Sequence, residues 1–347
     1  EQKGLDMKKK INFKLSTTQT IMLSFFLAIL VGSVLLALPI SSANGEPVSY
    51  IDALFTATTS ICVTGLVTLP TVSTWSLFGQ VVILILIQIG GLGVITIMSG
   101  FMISLHRKMG IKDRMLIQDA FNLNTLSGIV KFIKKVLVGT FVVEGTGAIL
   151  YMTVFVPEYG TKGIWISVFN SISAFCNAGI DIISENSLCD YALNPMINII
   201  TSALIILGGI GYVVWWDVIR VIKDMRNKKL KCFSNLTLHS KIALSATGVL
   251  IVVGAVVFFI FEYNNPLTMK DYSLFDKIQA SLFQSVTTRT AGFATIPQQN
   301  LTNASAIVSL LLMFIGGSPV GTAGGVKTVT IAVLIFAAFA TIKNKED

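Results

Sequence analysis

The chain has 347 residues, of which 53% are hydrophobic and only 13% charged, and its mean hydropathy is +0.76. A soluble domain carries about 25% charged residues, so a soluble fold is excluded. The net charge of +8 does not restore a nucleic-acid-binding reading, because the basic residues fall in short clusters that alternate with acidic or neutral stretches.

Apolar runs of the length a membrane helix needs, about 20 residues, recur along the chain. The tail 1–14 contains Lys8–Lys10. EQKGLD precedes Met7 and reads as upstream sequence. An outer apolar helix follows at 18–40. No cleavage site and soluble body come after it, so it is not a removable signal. A short segment at 52–62 cannot span. It leads into FTATTSICVTGL (55–66), and an inner apolar helix at 77–105 carries IQIGGLG (87–93). After a linker, 108–128, the order repeats: outer helix 132–156, short segment 164–175, FNSISAFCNAGI (169–180), inner helix 195–222 with ILGGIG (206–211). A second linker, 227–236, precedes outer helix 239–262, short segment 274–287, FQSVTTRTAGF (283–293) and inner helix 303–342 with FIGGSP (314–319). The repeats therefore occupy 15–107, 129–226 and 237–347.

The aligned glycines are 65, 179 and 292, with periods of 114 and 113 residues. The second glycine landmark recurs at similar offsets, and two landmarks with one period define an internal repeat. Basic clusters lie in HRKMGIKDR (106–114), KFIKK (131–135), RVIKDMRNKKLK (220–231) and at Lys343 and Lys345. They place the N-terminus and these clusters in the cytoplasm by the positive-inside rule. Each short segment then enters and leaves from outside, which defines a re-entrant pore helix. The fold class is an all-α polytopic membrane protein: pseudo-symmetric repeats of helix, re-entrant pore helix and helix around a central pore.

Irregular backbone at membrane depth is tolerated only against protein or water. A glycine after a pore helix permits positive φ and close approach. Carbonyls there can replace an ion's water shell, aided by the negative end of the pore-helix dipole. The candidate filter is Val63, Thr64, Gly65; Asn177, Ala178, Gly179; and Thr290, Ala291, Gly292. A glycine turn buried in a transporter bundle is the plainer alternative. The stretch IGGSPVGTAGGVKT (315–328) breaks the third inner helix with five glycines and a proline inside ten residues. In a helix each glycine costs about 1 kcal/mol and proline about 3, so lipid cannot surround it. GTAGGVKT is a poor P-loop, because Val326 separates Gly325 from Lys327 and no soluble strand precedes it.

The chain from about Leu15 to Lys345 resembles the Ktr/Trk/HKT superfamily of potassium transporters, its KtrB-type membrane subunits in particular. The resemblance is carried by LPISSANGEPVSYIDALFTATTSICVTGL, QIGGLG, SISAFCNAGI, TTRTAGF and LLMFIGGSPVGTAGGVKT. It implies potassium uptake through a channel-like pore, with sodium coupling or permeation, and no covalently bound cofactor. It implies that 316–327 is a gating loop beneath the filter, formed with Gly316, Gly317, Ser318, Gly321, Thr322, Gly324, Gly325 and Lys327. Lys327 would repel cations in the closed loop or snorkel at the head of the lower helix. Glycine at all three filter positions fits potassium. Further implications are a homodimer in the lipid bilayer of the bacterial cytoplasmic (inner) membrane, and a cytosolic, nucleotide-binding KtrA-type regulatory ring that contacts 106–114 and 220–231. No nucleic acid is expected. Members carry four repeats and this chain three, so truncation of a four-repeat protein is expected, with a non-conducting assembly subunit as the alternative.

Glu144 sits inside an apolar run, where a carboxylate is functional by default, but a hydrogen-bonded structural role fits better beside a carbonyl filter. Glu262 and Asp181 are candidates for drawing cations to the outer mouth or are solvated loop charges. Arg289 should point away from the axis, toward carbonyls or a carboxylate. His106 and His239 read as surface residues. Asp217 has no matching membrane carboxylate, HExxH is missing, and an enzyme is not expected. The four cysteines show no metal spacing and imply no disulfide framework.

Overall fold

The computed structural model describes residues 16–105, 110–121, 128–225 and 233–343. The tail 1–14, His106, and residues 106–109 and 226–231 of two basic clusters lie outside them.

Among the described residues three helices are each long and apolar enough to cross a membrane. They are the outer helices of the three repeats: α1 (Thr17–Leu36), α7 (Ile129–Tyr159) and α11 (Leu238–Glu262). The short segments form helices α2 (Tyr50–Cys62), α8 (Lys162–Phe175) and α12 (Leu274–Thr287). Each packs along the outer helix of its own repeat, and these are the most extensive helix contacts in the fold. Polar residues set the starts. Ser16, Ser76, Asn194, Thr237, Ser273 and Thr302 each accept a backbone N–H from the first turn of the helix they precede, the usual way to satisfy the orphan donors of a helix N-terminus.

The inner helices depart from expectation. The stretches 77–105 and 195–222 read as continuous helices, but both are broken. A short turn of helix, α3 (Thr71–Thr74), precedes the first. That inner helix is α4 (Leu77–Leu92) followed by α5 (Val94–Ser104), bent by 97°. Helix α6 (Ile111–Phe121) lies in the linker. The second inner helix is α9 (Pro195–Gly209) followed by α10 (Tyr212–Met225), bent by 100°. Gly93 and Gly211 sit at the bends with φ of 80° and 91°, a backbone that helix cannot continue through and that glycine adopts without steric cost. The third inner helix is α13 (Asn303–Phe314), a loop, and α14 (Thr328–Ile342). All three inner helices are thus interrupted at their glycine landmarks.

The buried core runs through the first two repeats and up to the pore helix of the third, with Ile61, Phe169, Phe175 and Phe283 inside. It surrounds the C-terminal ends of the pore helices, so the segments that follow them start from fixed positions.

Candidate functional site

The nine candidate filter residues come together at the C-terminal ends of α2, α8 and α12. In each repeat the backbone follows one pattern. The residue two before the glycine has positive φ: Val63 54°, Asn177 58°, Thr290 65°. The glycine has it again: Gly65 73°, Gly179 65°, Gly292 87°. A β-branched valine or threonine there is an outlier that costs about 1–3 kcal/mol and persists only when its surroundings impose it. Those surroundings recur as well. The N–H of the residue before each glycine donates to a hydroxyl residue's carbonyl in its pore helix: Thr64 to Thr59 (3.1 Å), Ala178 to Ser173 (2.8 Å), Ala291 to Thr287 (2.9 Å). The same hydroxyls bind the residue after the glycine. Thr59 Oγ1 accepts from Leu66 N (3.0 Å), Ser173 Oγ donates to Ile180 O (2.5 Å) and Thr287 Oγ1 to Phe293 O (2.6 Å). One Ser or Thr per repeat clamps both sides of the glycine.

The three glycines also meet one another. A Cβ on Gly65 would lie 2.9 Å from Ala178 O and 3.1 Å from Gly292 Cα. One on Gly292 would lie 3.0 Å from Gly179 Cα and 3.2 Å from Gly65 Cα. On Gly179 it would collide with Ala291 O and Gly292 Cα. No other residue type permits this convergence. Asn177, Ala178 and Ala291 are buried, whereas Thr64 and Gly292 are exposed.

The 316–327 loop is a folded knot beside this cluster. Its own strands pair: Gly316 N to Val326 O (3.2 Å), Gly317 N to Gly324 O (3.2 Å), Thr328 N to Gly317 O (3.0 Å). It docks on the break in the second inner helix, where Ser318 N donates to Gly209 O (2.8 Å), Thr322 N to Gly208 O (3.0 Å), and Tyr212 N to Val320 O (3.0 Å). Side chains add to this. Thr322 Oγ1 donates to Phe175 O at the end of the second pore helix (2.9 Å), and Ser318 and Thr328 hydroxyls pair at 2.9 Å. The irregular backbone is therefore satisfied by protein, as membrane depth requires. Ser318 and Thr322 are buried, Gly324 and Gly325 exposed, Gly321 and Lys327 between. Lys327 Nζ donates to Ala323 O at 2.7 Å, so it is tied to its own loop and does not reach outward.

Two cavities flank the assembly. One of about 410 Å³ is lined by Gly65, Gly179 and Gly292, with Asp181 and Glu185 in its wall. The other, about 550 Å³, is lined by Gly90–Val94 at the first break and by Val320, Gly321, Thr322, Ala323 and Lys327 of the loop. No residue lines both. The glycine cluster lines the first and the loop lines the second.

The charged candidates divide. Glu144 is buried in α7, accepts from Gln88 Nε2 at 3.2 Å and takes the Cys176 thiol at 3.9 Å, tying the first inner helix to the second pore helix. Glu262 is fully buried, not a solvated loop charge, and is not among the residues lining the cavity beside the glycines. Its carboxylate accepts Thr302 N and Oγ1 at 2.9 and 2.8 Å, and Thr268 Oγ1 and Asn265 Nδ2 at 2.7 Å each, fastening the start of α13. Asp217 does the same for α11 by accepting Thr237 N and Oγ1 at 2.9 and 2.8 Å. Asp181 is buried in the wall of the cavity beside the three glycines, and burial pushes its carboxyl up to about 6. His239 is half-buried, with Nε2 buried and unpartnered among the described residues, where a surface position was expected. Arg289 is buried and its Nη2 donates to Gly316 O at 3.0 Å, a carbonyl, as expected.

Sequence reasoning missed the breaks at Gly93 and Gly211 as structural events. The signal was present, since IQIGGLG and ILGGIG carry the same glycine pair as FIGGSP.

Residues 2–347 match the family described as TrkH, cation transport protein. The chain is 41% identical over 340 residues to the potassium/sodium uptake protein NtpJ of Enterococcus hirae, which covers 98% of this chain and 73% of that one. It is 39% identical over 330 residues to Ktr system potassium uptake protein B of Bacillus subtilis, covering 95% of this chain and 72% of that one. The crystal structure of the potassium transporter TrkH from Vibrio parahaemolyticus shares the fold, with a TM-score of 0.72 at 17% identity, over 97% of this chain. The chain spans 64% of that protein's length.

Proposed function

The chain belongs to the TrkH family of membrane cation transport proteins, and from that premise we propose that it takes up potassium through a pore whose ion site is the backbone around Gly65, Gly179 and Gly292. The observation that carries this reading is the convergence of three glycines, each clamped in the same positive-φ backbone by a pore-helix hydroxyl. Three pore helices end at this point, and the negative ends of their dipoles favour a cation there without any charged side chain. The 316–327 loop is the gate. It lines the second cavity, is held by hydrogen bonds to the break in the second inner helix, to the end of the second pore helix and to the third filter segment, and has the glycine content to rearrange at small steric cost. The name of the Enterococcus relative, a potassium/sodium uptake protein, supports sodium as a second permeating or coupling ion.

The names of the Bacillus relatives place them in a Ktr system. By that analogy this chain is a membrane subunit, a homodimer, regulated by a cytosolic nucleotide-binding KtrA-type ring. It lies in the bacterial cytoplasmic membrane with its N-terminus and basic clusters inside, by the positive-inside rule. Asn186, in the outer cavity wall, is then reached only from outside when replaced by cysteine in a cysteine-free background.

The test is selective uptake in a transport-deficient bacterium expressing the full-length protein. Gly65→Ser is expected to weaken the preference for potassium over sodium while membrane insertion is unchanged. Unaltered selectivity would count against the filter.

A further inference from the structure

We propose that Arg289 is a positioning residue: with Thr290 it latches the neck of the 316–327 loop to the third filter segment, so that the gate cannot move without releasing the filter's own chain. The inference rests on reading that loop as the gate.

Arg289 and Thr290 are consecutive, and Thr290 is one of the positive-φ filter residues. Arg289 Nη2 donates to Gly316 O at 3.0 Å. Gly324 N donates to Thr290 Oγ1, also at 3.0 Å. Gly316 and Gly324 lie on the two facing strands of the loop's neck, where Gly317 N pairs with Gly324 O. Both strands are therefore fastened to adjacent residues of one filter segment. A loop that swings aside must break both bonds.

The other repeats show what a purely structural solution looks like. Counted from the leading phenylalanine, the positions matching Arg289 are Ile61 and Phe175; counted back from the glycine they are Cys62 and Cys176. None is charged. In those repeats the inner-helix glycine presses directly on the pore-helix carbonyl. A Cβ on Gly90 would collide with Ile61 O, and one on Gly208 with Phe175 O. There the inner helix lies against the end of the pore helix with no cation between them. The cation occurs only in the repeat whose inner helix is opened into a loop.

Arg289 is also an expensive way to fill space. It is 7% exposed, and no carboxylate forms an ion pair with it among the described residues, where the recorded pair is Arg220 with Asp217. Its Nε has no partner there either. A buried guanidinium compensated only by carbonyl dipoles carries a desolvation penalty, and an apolar residue would serve packing better. Its hydrogen bond to the loop is charge-assisted, hence stronger than a neutral one.

The experiment measures potassium flux and potassium-over-sodium selectivity, at matched membrane expression, for the full-length protein, Arg289→Met, Arg289→Lys, deletion of Val320–Ala323, and Arg289→Met combined with the deletion. Arg289→Met is expected to raise unstimulated flux about tenfold, which corresponds to about 1.4 kcal/mol, with selectivity unchanged. Arg289→Lys keeps a charged donor and should stay near the native level. Arg289→Met should add nothing once the loop is shortened. Lower flux or altered selectivity in Arg289→Met makes the residue a filter strut and overturns the latch. If the deletion raises flux and Arg289→Met does not, the gate stands and the latch is wrong. If neither raises flux, the gate reading fails and takes the latch with it. Should Arg289→Met not reach the membrane, Thr290→Val removes the acceptor of the second bond with no change of charge; higher flux then supports the latch, and unchanged or lower flux overturns it.

Discussion

At Gly65, Gly179 and Gly292 the three repeats do one thing three times; a hundred-odd residues of separation in the sequence disappear into a common backbone, a common hydroxyl clamp and a mutual contact. At the inner-helix breaks they diverge. The first and second bend by 97° and 100° at a single positive-φ glycine, while the third opens into a loop that pairs with itself, with the second break and with the third filter segment. On the proposed reading, symmetry is kept where an ion would be surrounded, because equal carbonyl contributions need equal backbones. On the same reading it is abandoned where a gate would move, because a single loop can shift alone while three coupled ones must shift together.

That contrast sets an order of sensitivities. The largest loss is expected at the filter. Gly179→Val places a side chain against Ala291 O and Gly292 Cα at a φ of 65°. A strain of about 1–3 kcal/mol corresponds to up to ~100-fold, so potassium uptake should fall by that order with the protein still inserted. Gly248→Ala, where an added Cβ meets nothing within 4 Å, should leave uptake intact, and equal losses at both positions would dissolve the distinction. At the loop the sign reverses. Thr322→Val removes the hydroxyl that donates to Phe175 O. A net hydrogen bond of about 1 kcal/mol corresponds to roughly a fivefold rise in unstimulated flux, and a fall in flux at normal expression would assign the loop to binding. The smallest effect belongs to the mouth. Asp181 lines the cavity beside the glycines, the outer one on the proposed orientation, and burial raises its carboxyl to about 6. It is charged at external pH well above that value and neutral well below, so acidification through pH ~6 removes negative charge from the mouth and weakens cation attraction. Uptake should fall by about twofold at most, and Asp181→Asn should flatten that part of the pH profile. A profile unchanged by the substitution would take Asp181 out of the conduction path.

The sequence disclosed what depends on local pattern. Apolar run lengths located α1, α7 and α11, and the segments too short to span became α2, α8 and α12 with ends close to those expected. Glycine spacing located the three glycines that converge, because only glycine tolerates that approach. The glycine pairs at 90–91 and 208–209 were visible too, but a pair of glycines can lie inside a helix at modest cost; the third glycine of each motif, with positive φ, breaks it. Long-range partners were not legible. Nothing in spacing says that Arg289 reaches Gly316, that Glu262 collects four donors near the start of α13, or that Glu144 faces Gln88, since such bonds follow from how separate helices pack. His239 was misjudged for the same reason: its place in the linear chain looks like a helix start facing water, and packing half-buries it.

The central claim is that ions are selected at the repeated glycines and stopped at the single loop. It is tested most directly by potassium uptake in a transport-deficient cell, at matched membrane expression, after deletion of Val320–Ala323. These residues carry the Thr322 bonds to Gly208 and Phe175 and the Val320 carbonyl that accepts from Tyr212, yet none lies in a filter segment. The account predicts faster uptake with potassium preference retained, driven by a membrane potential worth about 2.3 kcal/mol per charge per 100 mV. Loss of uptake in a protein that still inserts normally would contradict it, and would make the loop part of the ion's binding site.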